Sequence, residues 1–183
     1  MFYELDAFVF RDELMEWCRK GYDYIGAPWL EGWSMATPTS PFIGVGNGGF
    51  SLRKISSLLK VSNSFSYIFW PSELWKKFQA VSSRDKPAAL VDLAKNLTIR
   101  NNTFHWFNDR AKTEDVFWGM FVKRNFTWFT IPDAEEATQF SIEAQPQRLH
   151  ELNQHQLPFG CHAWWKYDLE FWRPFIREFG YDI

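Results

Sequence analysis

The hydrophobic and polar positions along the chain follow two periods, one typical of strands and one typical of helices. Residues 1–10 are apolar almost throughout, which predicts a buried strand. The alternation Phe50-Ser51-Leu52-Arg53 predicts a short strand with Phe50 and Leu52 on one face. Further strands are predicted at residues 22–25, 127–131 and 140–143, and helices at residues 12–20, 54–60, 71–81, 86–95, 113–123 and 168–179. Strands that alternate with helices predict a single α/β layer structure.

Three stretches show neither period and are predicted as loops. Residues 26–44 contain three prolines and two tryptophans and are too long to be a simple connector. Residues 101–110 are polar and aromatic. Residues 146–157 are polar and are expected to be mobile. Pro174 is expected to kink or break the last helix.

A glycine-rich stretch precedes the strand that starts at Phe50. Four of the ten glycines of the chain fall within residues 44–49. Such a cluster marks a backbone that bends sharply or is closely approached, and its free N–H groups could hold a phosphate or a sugar hydroxyl. A hairpin turn that leads into an edge strand explains the same pattern. No Gly-Lys-Ser/Thr follows and no strand-turn-helix frame surrounds the stretch, which excludes a P-loop and a dinucleotide fingerprint.

Glu4 and Asp6 lie two residues apart in the first predicted strand, which places both carboxylates on one face. Two carboxylates on one face repel each other unless a cation or a basic group lies between them. Hard divalent metals bind such pairs of oxygen ligands. The pair is therefore a candidate for metal binding.

The composition excludes several classes of protein. A net charge of −2 and a pI of about 6.1 favour neither nucleic acid nor an acidic membrane as a partner. No apolar run approaches the ~20 residues of a membrane span, and acids interrupt the start of the chain where a secretory signal would lie, so we expect a cytoplasmic protein. The two cysteines, Cys18 and Cys161, could pair but are expected to be buried free thiols.

The chain is unusually rich in aromatic residues, at 20% with 11 Trp and 19 Phe. Tryptophan is too large and too polar at its tip to be fully buried so often. A ring-rich core explains part of this content. A cleft lined with rings that stack on a sugar or a base is the alternative.

Five stretches, taken together and in order, resemble a known family. They are ELDAFVF at 4–10, YIGAPW at 24–29, GNGGFSLR at 46–53, EDVFW at 114–118 and PFGCHAW at 158–164. In this combination they resemble the glycosyltransferase-like family named domain of unknown function 5672. That family looks like a relative of the GT-A sugar-nucleotide transferases, including the fringe and β-galactosyltransferase groups.

The resemblance implies a fold and a domain organisation. We expect one glycosyltransferase-like domain over residues 1–183, with a partial GT-A-like (Rossmann-like) mixed sheet flanked by helices. In GT-A enzymes the strands and helices before the acid motif form the nucleotide-binding half of the sheet, and this chain has no room for them ahead of Glu4. We therefore expect a C-terminal portion of the fold that binds sugar nucleotide poorly. The strand at residues 1–10 is expected to leave an open edge through which the chain could self-associate.

The resemblance also implies a metal site. In those transferases an acid-x-acid motif at the end of a strand holds a divalent metal, Mn²⁺ or Mg²⁺, on the diphosphate of the donor. The matching residues are Glu4 and Asp6, and Asp6 is the better match because the first acid here is Glu rather than Asp. A late histidine completes the metal site in related folds, and His162 is its match. A hydrogen-bonded core or surface histidine is the alternative for His162.

The resemblance assigns a general base to the acid pair before the Val-Phe-Trp helix. In inverting relatives one such acid takes the proton of the acceptor hydroxyl, and we expect Asp115 rather than Glu114 to do so. The alternative is that both acids only stabilise the start of a helix through its dipole. The implied reaction is direct displacement at the anomeric carbon of a nucleotide-sugar donor by the hydroxyl of a carbohydrate or another acceptor.

The remaining substrate contacts are expected from the glycine loop and from exposed rings. The loop candidates are Gly46, Asn47, Gly48 and Gly49, whose amides would hold the donor. The ring candidates for stacking on a sugar are Trp29, Trp33 and Trp164. Two other functions are compatible with the sequence. One is a non-catalytic carbohydrate-binding protein or degenerate transferase, and the other is a metal-dependent hydrolase.

Overall fold

The computed structural model describes residues 1–64, 70–97 and 113–183, and its strands form three small sheets. The strands are β1 (Phe2–Tyr3), β2 (Ala7–Val9), β3 (Tyr24–Ile25), β4 (Pro28–Leu30), β5 (Phe42–Val45), β6 (Phe50–Arg53), β7 (Ser141–Ile142) and β8 (Gly160–His162). Their orders in the sheets are β1-β6-β3, β2-β8-β7 and β4-β5. The β7–β8 pair is parallel, and the other pairs are antiparallel.

Helices flank these sheets. They are α1 (Leu14–Arg19), α2 (Ile55–Ser62), α3 (Pro71–Ala80), α4 (Lys86–Asn96), α5, α6 (Ala134–Phe140), α7 (Pro146–Leu152) and α8 (Trp164–Arg177). Helix α5 begins as Glu114–Val116, widens into a π-helical segment at Phe117–Val122 and ends at Lys123–Asn125. Helices α3 and α7 each begin with a proline at the first position. Proline lacks an N–H, and this costs nothing there because an N–H in the first turn would have no partner within the helix. The side chain of Asp133 caps α6 by accepting from the N–H of Glu136.

Three clusters of buried side chains form the core. One lies under α5 and includes Phe117 and Phe129. The second lies between β6 and α6 around Phe50 and Phe140. The third lies under α8 around Trp172. Many of the aromatic residues therefore belong to the core, and the rings of Phe50 and Phe140 lie 5.3 Å apart within it.

The architecture is a mixed α/β structure of small sheets flanked by helices, which agrees with the predicted fold class at this coarse level. The single strand predicted for residues 1–10 is wrong. Leu5 is 101% exposed at the tip of a turn between β1 and β2, and the N–H of Ala7 closes this turn on the carbonyl of Glu4 at 3.1 Å. A turn satisfies the backbone there, so the apolar run does not continue as one buried strand.

Other local predictions are corrected by tertiary contacts. Residues 26–44 contain the strands β4 and β5, and β4 is fully buried. Residues 127–131 form no strand, because the carboxylate of Asp23 accepts the N–H of Thr130 at 2.7 Å in place of a ladder partner. Residues 146–157, expected to be mobile, begin with the helix α7. The prediction for residues 101–110 lies outside the described residues.

The last helix contains its break at Asp168 rather than at Pro174. Asp168 has an extended backbone, with φ −168° and ψ 88°, and its Oδ1 accepts the N–H of Phe171 at 3.0 Å. Asp168 thus caps the second half of α8, and Pro174 lies inside that half. Both cysteines are free thiols, Cys161 buried as expected and Cys18 exposed. In the described part of the chain, no helix is long and apolar enough to cross a membrane.

Candidate functional site

The site lies where three neighbouring strands meet. Antiparallel pairing of β2 with β8 places Ala7 opposite His162, so Asp6 lies just beyond the histidine. Parallel pairing of β7 with β8 places Ile142 opposite Cys161, so Glu143 follows on the same side as His162. Because parallel strands end at the same edge of a sheet, these side chains converge although the sequence separates them widely.

The turn between β1 and β2 brings Glu4 to the same place. The N–H of Glu4 donates to the carbonyl of Gly49 at 2.8 Å, which ties the turn to the glycine-rich loop. Nε2 of His162 then lies 3.2 Å from Oδ1 of Asp6 and 3.6 Å from Oε2 of Glu4. One ligand atom from each of the three residues lies within 4.8 Å of the others. The predicted metal ligands are therefore neighbours in space.

The chemistry of this group fits a divalent cation. Nε2 of His162 is buried and makes no hydrogen bond with the part of the chain that the structure describes. A ring nitrogen without a partner, facing two carboxylates, is an arrangement that a cation would stabilise. Burial alone would lower the pKa of His162, but the hydrogen bond with Glu143 and the charges of Glu143, Asp6 and Glu4 raise it above the ordinary value. The ring nitrogen thus attracts a positive charge, either a proton or a metal.

Asn47 holds the glycine-rich loop in shape. Its Oδ1 accepts the N–H groups of Gly49 and Phe50, both at 2.8 Å. The buried hydroxyl of Tyr24 donates to the carbonyl of Asn47 and accepts its N–H, both at 2.9 Å. The N–H groups of Asn47, Gly49 and Phe50 are therefore engaged within the protein, and these three amides are not presented to a ligand.

Two glycines of the loop are needed for close approach by neighbouring side chains. A Cβ on Gly49 would overlap the ring of His162, with Nε2 as its nearest atom. A Cβ on Gly46 would lie 2.5 Å from the ring of Trp29. Neither residue has a positive φ, so space rather than backbone conformation requires glycine here. The close approach predicted from the sequence occurs at both positions, by His162 and by Trp29.

The acid pair at the start of α5 faces the loop from the other side. Arg53 donates to Glu114 through two nitrogens, Nη1 to Oε2 at 2.9 Å and Nη2 to Oε1 at 2.7 Å. Burial raises the pKa of Glu114, although Arg53 opposes this shift. Oδ1 of Asp115 accepts the N–H of Val116 at 2.8 Å. A Cβ on Gly48 would lie 3.7 Å from Oε1 of Glu114 and 3.9 Å from Oδ2 of Asp115, so the pair lies directly across from Gly48.

Most of these features border one pocket of about 520 Å³, but Asp6 and Gly46 lie outside its lining. Trp29 and Trp33 lie in its wall with ring centroids 5.2 Å apart. Trp164 does not belong to the lining, because it packs against the third core cluster instead. The lining residues are Glu4, Pro28, Trp29, Leu30, Trp33, Ser34, Asn47, Gly48, Gly49, Thr113, Glu114, Asp115, Glu143, Ala144, His162 and Tyr167.

Three residues of the site have no role in the sequence analysis. Arg53 neutralises Glu114, Glu143 binds the ring of His162, and Tyr167 lines the pocket, where burial and the charge of Glu143 raise its pKa to about 12. The sequence held one signal for Glu143, which ends the strand predicted at residues 140–143. Its pairing with His162 depends on the parallel register of β7 and β8, which the sequence does not reveal.

One comparison with known proteins gives a match. The sequence model of a family described as "Protein of unknown function (DUF5672)" matches residues 1–162. This match covers all of the site residues except Trp164 and Tyr167. No curated protein and no solved structure matches the chain.

Proposed function

This chain belongs to the DUF5672 family of proteins of unknown function, and from its site we propose that it is a metal-dependent glycosyltransferase. It would transfer a sugar from a nucleotide-sugar donor to an acceptor hydroxyl. One observation carries the proposal. Glu4 and His162 of the candidate metal group line the same pocket as Asp115, the candidate base, on either side of the Gly48–Gly49 backbone.

The reaction assigns a role to each side of the pocket. An acceptor hydroxyl attacks the anomeric carbon of the donor sugar, and the bond from that carbon to the diphosphate oxygen breaks. The nucleoside diphosphate leaves with the bonding electrons, and Asp115 takes the proton of the attacking hydroxyl. Glu4, Asp6 and His162 would hold a divalent ion, which offsets the charge that grows on the leaving diphosphate.

The charge of the pocket makes binding of a diphosphate depend on that ion. The lining in the described part of the chain contains carboxylates and a histidine but no lysine or arginine. Arg53, the cation next to the pocket, is paired with Glu114 and has a side chain only 5% exposed. A diphosphate without a metal would therefore meet net negative charge and be repelled.

The test is isothermal titration with UDP in the presence of Mn²⁺ and then of excess EDTA. We expect weak binding with Mn²⁺ and none with EDTA. Asp6→Asn and His162→Gln should each abolish UDP binding. Asp12→Asn, which removes an exposed acid outside the pocket, should leave it unchanged. UDP binding that survives EDTA, or that survives Asp6→Asn, would contradict the proposed metal site.

Activity is measured as release of UDP from UDP-hexoses with Mn²⁺, with and without sugar acceptors. We expect release to depend on Mn²⁺ and to fall in Asp115→Asn. The test of UDP binding comes first, because donors other than UDP-hexoses would give no release even from a functional enzyme. GDP and GDP-hexoses serve as the second donor set.

A non-catalytic carbohydrate-binding protein is the second candidate. The observation that favours it is the engagement of three loop amides by Asn47 and Tyr24, which leaves a pocket of carboxylates and tryptophans. Such groups suit the hydroxyls and the ring faces of a neutral sugar. Monosaccharide binding without Mn²⁺, together with no UDP binding under either condition, would favour this candidate over the transferase.

A further inference from the structure

Nδ1 of His162 has two close neighbours, one of which requires a proton on this nitrogen and the other a lone pair. Oε1 of Glu143 lies 2.9 Å away, and Nδ2 of Asn47 lies 3.2 Å away. A carboxylate can only accept a hydrogen bond from this nitrogen, whereas an amide NH₂ group can only donate one to it. Because a ring nitrogen either carries a proton or has a lone pair, it can satisfy only one of the two.

The amide of Asn47 cannot rotate to relieve this conflict. Its Oδ1 accepts two backbone N–H groups of the glycine-rich loop. A rotation would turn the NH₂ group toward those two donors and would leave them without an acceptor, at a substantial cost. The NH₂ group of Asn47 therefore stays directed at the ring, where it competes with Glu143 for a hydrogen bond with Nδ1.

Glu143 forms the stronger hydrogen bond with Nδ1, because it is closer than Asn47 and carries a charge. Its oxygen is the nearer of the two partners, and hydrogen bonds to an ionised acceptor are stronger than those between neutral groups. The side chain of Glu143 is 17% exposed, so solvent screens its charge little. Asp6 and Glu4 would favour a proton on Nε2, but Nε2 makes no hydrogen bond to either of them, whereas Nδ1 is within hydrogen-bond geometry of Glu143. Nδ1 consequently carries the proton and donates to Glu143. The lone pair of the neutral ring is then on Nε2, the atom that faces Asp6 and Glu4.

We propose that Glu143 is a positioning residue that fixes His162 in the Nδ1–H tautomer and so keeps Nε2 free to bind a cation. Asn47 makes this role necessary. Without Glu143 the NH₂ group of Asn47 would donate to Nδ1, and the ring proton would move to Nε2, where it would block a metal. The purpose of this arrangement rests on the proposed function, but the tautomer itself is a property of the protein without metal.

The tautomer can be read directly in metal-free protein. Long-range ¹H–¹⁵N correlation spectra, recorded at a pH where the ring is neutral, distinguish the protonated from the unprotonated ring nitrogen. The wild-type protein should show His162 with its proton on Nδ1. In Glu143→Leu, which cannot accept a hydrogen bond, the proton should be on Nε2. Glu143→Gln keeps an oxygen acceptor at the same place but loses the charge, so it should retain the wild-type tautomer only in part.

Metal affinity provides the second readout. Binding of Mn²⁺, followed by the loss of its electron paramagnetic resonance signal, should weaken by about 10–100-fold in Glu143→Leu, the usual effect of losing a partner of a metal-binding histidine. Glu143→Gln should lose less, and Glu151→Leu, at an exposed acid outside the pocket, should lose nothing. Melting curves show which variants are folded.

The outcomes separate this proposal from the proposed function. A wild-type ring protonated on Nε2 would overturn the positioning role, and this result needs no variant that folds. A Glu143→Leu ring still protonated on Nδ1 would also overturn it. If the tautomers behave as expected but Mn²⁺ does not bind, the positioning role stands and the metal-dependent transferase fails.

Discussion

The guanidinium of Arg53 binds both carboxylate oxygens of Glu114, at 2.7 and 2.9 Å. Arg53 is almost fully buried, and its guanidinium also lies over the ring of Phe2 at 3.9 Å. Such a bidentate ion pair holds Glu114 in place and neutralises its charge. Asp115, the next residue, has no such partner among the described residues, which is why it rather than Glu114 is the proposed base.

The first prediction separates these two acids. Asp115→Asn should lower turnover by ~10²-fold or more, because it removes the proposed base. Its stability should hardly change, because asparagine can still accept the N–H of Val116. UDP release and urea unfolding measure the two effects.

Glu114→Gln is the matched control, and it should behave in the opposite way. It should lower the free energy of unfolding by about 1–3 kcal/mol, because it weakens the partner of a buried arginine. The assignment is wrong if Asp115→Asn unfolds the protein while its folded fraction keeps full specific activity.

The second prediction compares adjacent glycines. Gly49→Ala should weaken Mn²⁺ binding by ~10-fold or more, because the added methyl group would displace the ring of His162. It should also cost about 1–3 kcal/mol of stability through overpacking. Gly48→Ala adds the same methyl group where only ordinary contacts exist, so His162 should stay in place. Equal Mn²⁺ affinity in both variants would contradict this account of the loop.

The third prediction concerns the pH dependence of the metal-free protein. The pKa of His162 is raised in the folded state, so its protonation stabilises the fold. This contribution is complete below the ordinary histidine pKa of about 6.5. It is lost as the pH rises through the higher folded pKa. The stability of the wild type relative to His162→Gln should therefore decrease as the pH rises above about 6.5. Urea unfolding across this range measures the difference, and a difference that increases with pH would contradict the prediction.

The fourth prediction concerns the hydroxyl of Tyr24. Tyr24→Phe leaves the buried N–H of Asn47 without a partner among the described residues, and it leaves the carbonyl only a long hydrogen bond from Nη2 of Arg53 at 3.5 Å. The loss should cost about 1–3 kcal/mol. The loop should loosen, and Mn²⁺ affinity should fall with it. Tyr22→Phe removes a hydroxyl that donates to Glu136 away from the loop, and it should leave Mn²⁺ binding unchanged. Unchanged binding in both variants would show that Asn47 needs no support from Tyr24.

The sequence reveals the site where the chemistry of a residue is local. Glycines before a strand single out Gly49 without knowledge of its neighbours. The acids at the start of a helix are visible in the same way, but only the resemblance to the family gives Asp115 a role. Arg53 and Glu143 are different, because each matters through one partner brought close by the packing of strands and helices. A sequence pattern contains the residue but not the register that supplies its partner.

The same limit explains the errors in the fold. Residues 26–44 carry prolines that favour a loop, but the strand β4 is stabilised by pairing with β5 and by complete burial. Leu5 lies in an apolar run, yet one turn bond at Ala7 directs it into solvent. In both cases tertiary contacts outweigh local preference.

Asp6 lies just before β2, and His162 lies in β8. These two strands are adjacent in the sheet but far apart in the sequence. An ion bound to both residues would act as a removable cross-link across this pair of strands. Openings that keep β2 beside β8 would remain possible while the ion is bound, whereas any unfolding that separates the two strands would require the ion to leave first. The rate of unfolding, and with it resistance to proteolysis, would then be set in part by the rate of metal release.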